Sequence, residues 1–186
     1  VRTLPTLLVA ALVLARPAVA DEVVRGAKDV VTITDEAGVS RVLFRLDGGI
    51  DVPNFAIERA TLDLGLVGEH EDRGLALQIH PVTTPWHRGS VDWTSGWTRP
   101  GGDFEDDLYA KARVHFGGGD TRGMFDLTVP LKEVLEVGMP ADGFILTLAP
   151  VEGRGIPSDE LGRFVNFDRA TMRILYKVLP PIVGRT

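Results

Sequence analysis

The chain of 186 residues carries 20 Lys and Arg against 26 Asp and Glu, a net charge of −6, and no cysteine. The acidic balance argues against nucleic acid or an anionic membrane as partner, and the lack of thiols excludes a disulfide scaffold, a thiolate metal site and a lipidated cysteine. With 44% apolar residues the chain has material for a core that needs no cross-link.

Residues 1–20 read as an export signal: Arg2, an apolar run from Leu7 to Ala15, and the small-x-small ending Ala18-Val19-Ala20 before Asp21. The run is shorter than the ~20 apolar residues a bilayer span needs. No transmembrane segment is therefore expected after removal of this leader, and residues 21–179 are expected to form one domain, periplasmic or secreted, with a frayed tail at 180–186. In 21–38, Val30, Thr32 and Thr34 alternate against Val31 and Ile33, which predicts one edge strand before a turn at Asp35–Gly38. Val42, Phe44 and Leu46 alternate with Arg41, Leu43 and Arg45, the period-two pattern of a half-buried strand. Ala60, Leu62, Leu64 and Leu66 repeat it, as do Leu75, Leu77 and Ile79, which have Gln78 and His80 on the other face. The polar stretch Gly68–Gly74 between these two runs reads as a connection.

The stretch from Trp86 to Phe104, WHRGSVDWTSGWTRPGGDF, holds all three tryptophans and is punctuated by Gly89, Gly96, Pro100, Gly101 and Gly102. A loop this long and aromatic needs a scaffold on both sides. Beyond it, Ala112, Val114 and Phe116 alternate with Lys111, Arg113 and His115, Gly117–Asp120 turns the chain, and Phe125, Leu127 and Val129 start a strand ended by Pro130. Leu131, Val134, Leu135 and Gly138 share one face of a short helix with Pro130 near its start and Gly138 at its end. Phe144 to Leu148 predicts a buried strand, Gly153 to Gly162 a loop, and Ala170 to Lys177 a closing strand. Eight or nine short strands with glycine-rich turns and one small helix predict an all-β, jelly-roll-type antiparallel β-sandwich.

Five segments in order resemble one known family. Arg41–Asp47 followed by Ala60–Leu64, the W-x-x-x-x-V-x-W spacing of Trp86–Trp93, Pro100–Phe104, Phe125–Thr128 and Ala170–Tyr176 are similar to the DNRLRE-domain family of secreted bacterial and archaeal β-sandwich modules, some of them carbohydrate-binding. Arg88 stands where the family usually has glutamate and Asp92 where it has threonine, and residues 21–38 lack its asparagine-tyrosine-glycine segment. The resemblance implies an accessory module rather than an enzyme.

Candidate sites follow from residue chemistry. An indole can stack on the C–H face of a sugar and donate its N–H. The family resemblance implies a core position for Trp86, Trp93 fits either role, and Trp97, in the loop proper, either contacts a ligand or anchors the loop. Tyr109 is a second stacking surface, with Arg99 and Asp103 as polar contacts. Asp103, Glu105, Asp106 and Asp107 are the oxygen-rich run that Ca²⁺ would use, without the spacing of an EF-type loop. The histidines are scattered, and no nucleophile elbow or phosphate loop occurs. The sequence thus predicts a secreted, non-catalytic module that binds polysaccharide or a cell-surface glycan. Its rivals are a structural or adhesive protein bound to another extracytoplasmic protein and, with least support, a polysaccharide-acting enzyme.

Overall fold

A computed structural model describes residues 20–51, 54–66, 77–115, 121–148, 161 and 165–180. Among them the chain forms nine strands and one short helix: β1 (Asp21–Arg25), β2 (Ala27–Thr34), β3 (Ser40–Leu46), β4 (Phe55–Leu66), β5 (Leu77–Pro81), β6 (Ala110–His115), β7 (Thr121–Asp126), α1 (Thr128–Leu135), β8 (Phe144–Leu148) and β9 (Val165–Val178). The all-β class is as the sequence predicts. The export leader, the polar stretch 68–74, the glycine turn 117–120, the loop 153–162 apart from Leu161, and the tail from 181 on lie outside the described residues.

All pairings are antiparallel, in the order β1-β9-β4-β7-β6-β5-β8-β3-β2. The two edge strands of this sheet are consecutive in the chain, separated only by Gly26, so the sheet curls until its edges approach each other. On the far side β6 is shared: Ala110 and Lys111 pair with β5, and Ala112 to His115 pair with β7. Inward side chains from both halves form one core, among them Phe44, Leu62, Leu64, Ile79, Phe125, Leu146 and Met172. These are the alternate positions that the period-two pattern selects.

Three local expectations are corrected. Residues 21–34 make two strands, not one, because Gly26 breaks the run and each part pairs at an opposite edge of the sheet. β2 is also irregular between Lys28 and Val31, where Asp29 has φ 51°. The strand from Phe125 ends at Asp126, and α1 starts three residues earlier than expected. Asp126 Oδ1 accepts from the Thr128 N–H (3.0 Å) and hydroxyl (2.5 Å), and Thr128 Oγ1 accepts from the Ala60 N–H (3.0 Å), which turns the chain into the helix before Pro130. Pro130 then falls in the first helical turn, where its absent N–H costs nothing.

The outer faces of the two halves differ. Around β1, β9, β4 and β7, charges pair across strands, Arg122 with Asp63 (2.9 Å), Arg173 with Glu22 (3.6 Å) and Lys177 with Glu58, as on a solvated face. Around β2, β3 and β8, Ile33, Leu43 and Ile145 point outward yet are buried, because the aromatic loop lies over them. No described helix is long and apolar enough to cross a membrane.

Candidate functional site

The aromatic loop is built by its aspartates. Asp92 takes the N–H and hydroxyl of both Thr94 and Ser95 at 2.6–3.0 Å, and the Ser95 bonds lead the others in holding its carboxyl down at about 2. This is the turn chemistry that short Asp, Ser and Thr side chains supply. Asp103 is buried, and its carboxylate accepts from Thr84 Oγ1 (2.9 Å), Thr98 N (2.8 Å), Thr98 Oγ1 (2.8 Å) and Arg99 N (3.1 Å). Burial works against its charge, but these four donors prevail and keep it below the usual carboxylate range. The chain then returns along β5: Val82 and Phe104 bridge, Thr83 N donates to Asp103 O (2.9 Å), and Glu105 N donates to Pro81 O (3.2 Å).

The tryptophans are part of this construction. Trp86 is 2% exposed, and its indole N–H donates to Asp142 O at 2.6 Å, the core position expected for it. Trp93 and Trp97 are half-buried against Ile33, Leu43 and Ile145, and the Trp97 indole N–H donates to Asp92 O (2.8 Å). The Arg41 guanidinium lies 4.9 Å from the Trp93 ring centroid and 5.1 Å from that of Phe104, while Arg99 lies 4.7 Å from Phe104. Gly101 makes this packing possible. It has φ 87°, and a Cβ there would stand 2.6 Å from Arg41 Nη1 and 2.9 Å from Trp93 Cζ2.

Where the loop stops, the outer face of β3, β8 and β5 opens into a groove of about 270 Å³, lined by Val39, Arg41, Gln78, His80, Phe104, Asp106, Thr147 and Leu148. Arg41 donates Nη1 to Gly101 O (2.6 Å), which leaves further donors on the same guanidinium. Burial, then the like charge of Arg99, lower its affinity for the proton against the pull of Asp106 and Asp35. His80 is 4% exposed and hydrogen-bonds through Nδ1 to Glu105 O (2.9 Å); its ring lies 4.8 Å from Phe104 and 5.4 Å from Tyr109. Burial lowers its pKa and favours the neutral imidazole. A larger hollow of about 630 Å³ lies between β2 and β9, lined by apolar Ala27, Val30, Val42, Val165, Phe167 and Ala170. Its polar side chains are Thr32, Asn166 and Asp168, with Asn166 Oδ1 accepting from the Asp168 N–H, and no cation lines it among the described residues. The groove, with Arg41, Gln78 and His80 beside Phe104, is therefore the better-equipped site.

The expected site residues divide accordingly. Tyr109 is 37% exposed, next to His80 at the rim and with Lys111 Nζ 5.4 Å from its ring. Arg99 ties the rim together, donating to Gly102 O (3.2 Å), Phe104 O (2.5 Å) and Asp106 Oδ2 (2.7 Å). Asp103 lies inside the loop, while Glu105, Asp106 and Asp107 are exposed, Asp106 facing Arg99. Among the described residues no three His, Asp or Glu side chains are grouped to hold a metal ion. Arg41, Gln78, Phe104 and Thr147 were not singled out from sequence. Arg41 and Gln78 stood on the polar phase of strands chosen for their apolar phase, Thr147 was a polar residue in a strand read as buried, Phe104 closed the aromatic loop, and only the pairing register collects them in one place.

Compared with known proteins, the chain matches no family model, and no curated protein is significantly similar to it.

Proposed function

We propose that the chain is an exported, non-catalytic β-sandwich module that binds carbohydrate in the groove over β3, β8 and β5. The observation that carries this reading is the convergence of Arg41, Gln78, His80 and Thr147 beside the rings of Phe104 and Tyr109. Sugars present alternating hydroxyls and apolar C–H faces, and such a site answers both, with fixed polar groups for orientation and an aromatic edge for the ring. The single curled sheet, β1-β9-β4-β7-β6-β5-β8-β3-β2 and antiparallel throughout, with its two halves packed over one core, supports a sandwich of jelly-roll type. The five-segment resemblance to the DNRLRE-domain family supports the same class. The aromatic loop then serves as the wall that holds Arg41 and Phe104, with Trp93 and Trp97 acting through them.

Isothermal titration of residues 21–186 against a polysaccharide panel, with and without Ca²⁺, tests the reading. Saturable binding to a glycan, lost in the Gln78→Ala, Thr147→Val double variant while melting is unchanged, is the expected result. An absence of binding across the panel, or binding indifferent to both substitutions, overturns it. Dependence on Ca²⁺ would draw the acidic run Asp103–Asp107 into the site as well. A second reading, a surface protein that docks another protein, is favoured by Val129, 60% exposed in the first turn of α1, and Val137, 70% exposed just past its C-terminal end. Loss of a defined protein partner on Val129→Ser, Val137→Ser substitution, with no glycan binding, would select it.

A further inference from the structure

The groove has a repeat built into it. On the outward phase, Gln78 is directly opposite both Thr147 of β8 and Lys111 of β6. The pair Val42–Leu146 places Arg41 opposite Thr147 one step further along β3 and β8. Four polar side chains, Arg41, Thr147, Gln78 and Lys111, therefore stand in a row on four adjacent strands. Neighbouring strands are about 4.8 Å apart, so the row is about 14 Å long, and its spacing is close to the length of one pyranose unit in an extended chain. The next row is His80 and Ile145, which are register partners, followed by Leu43 opposite Ile145. This second row is roofed by Phe104 and the aromatic loop, so a ligand lies along the polar row with the His80 edge of the second row as its inner wall.

Charge narrows the class. At the groove Arg99 is paired with Asp106, Arg41 feels the opposite charges of Asp106 and Asp35, and the whole chain carries −6. A polyanion would gain nothing from the balanced site and would be repelled by the molecule as a whole. Hydroxyls, which both donate and accept, suit Arg41, Gln78 and Thr147 equally.

We propose that the groove binds a neutral, linear pyranose polymer in its extended form, running across the strands with about one sugar per strand. This rests on the carbohydrate reading above and adds the direction, length and charge of the ligand.

The test is titration calorimetry with cello-, xylo- and manno-oligosaccharides of two to six sugars, alongside a polyuronate oligomer of matched length. Each sugar added up to four should tighten binding about fivefold, as one net hydrogen bond per strand would, with a plateau beyond. Lys111→Ala, at the end of the row, should weaken the tetrasaccharide about fivefold and leave the disaccharide unchanged. Lys111 is exposed, so this variant is expected to keep its fold, which its melting curve checks. Affinity independent of length, or equal losses for both lengths in Lys111→Ala, overturns the across-strand geometry while leaving carbohydrate binding in place. Preference for the polyuronate overturns the neutral class alone. Failure of every saccharide to bind removes the carbohydrate reading itself.

Discussion

Asp142 ties the aromatic loop to β3 through one arginine. Its carboxylate accepts from Arg45 Nε (3.0 Å), Arg45 Nη2 (2.5 Å) and the Trp86 N–H (2.8 Å), and Arg45 lies 4.1 Å from the Trp86 ring centroid. Partial burial opposes the charge on Asp142, yet the Arg45 and Trp86 hydrogen bonds outweigh it and hold the carboxyl below its ordinary range. The pair is neither exposed nor fully buried, at 23% and 29% side-chain exposure, so its loss falls between the two regimes. Asp142→Ala should lower stability by about 2 kcal/mol in urea unfolding and red-shift the emission of Trp86. An unchanged midpoint would mean that the apolar packing of Trp86 alone holds the loop. Nothing in the sequence pairs Arg45 with Asp142, since 97 residues separate them. The visible signals were only a cation on the polar phase of a strand and an Asp-Gly turn.

At the scale of the element, the loop Trp86–Phe104 shows how far composition can be read. Its aromatics and glycines marked it as the unusual segment, and its role as a cover over Ile33, Leu43 and Ile145 follows from their being apolar on the phase where the solvated face of a strand would be polar. That clue stood in Leu43, on the polar side of the alternation at Arg41–Leu46. It was illegible alone because a single exposed leucine is ordinary. Gly101 is where this element is least tolerant. Its N–H donates to Trp93 O (2.6 Å), its carbonyl accepts from Arg41, and its φ of 87° excludes a side chain without strain. Gly101→Ala should cost about 1–3 kcal/mol and raise acrylamide quenching of the tryptophans. Gly96 has the same φ of 87° and nothing within 4 Å of a would-be Cβ, so Gly96→Ala isolates the backbone cost without the packing cost. Equal destabilisation by the two substitutions would refute the claim that Gly101 is required for the contact between Arg41 and Trp93.

For the whole molecule, alternation named most strands, because a curled sheet with one shared core buries every second residue. It could not name the neighbour relations: β1 and β2 read as one strand, and the groove exists only through register. The buried and hydrogen-bonded groups of the loop and its neighbours set a pH response. Asp103, Asp106 and Asp142 all have lowered carboxyl pKa values in the fold, so their contribution to stability is full above the unfolded value of about 3.9 and is lost as pH falls through the folded values. His80 is also lowered, chiefly by burial, with the Glu105 carbonyl and Asp106 opposing and Arg41 and Arg99 reinforcing. Its unfolded form therefore takes up a proton first, and stability begins to fall below about 6.5, well before the carboxylates respond. Urea midpoints of residues 21–186 should thus decline in two steps on acidification, the first between pH 6.5 and the folded His80 value, the second below about pH 4. His80→Gln, which keeps a donor for the Glu105 carbonyl but cannot titrate, should abolish the first step and spare the second. If the first decline persists in that variant, the proton is taken elsewhere, and the packing of His80 between Phe104 and Tyr109 is not what makes the strap of 103–109 sensitive to acid.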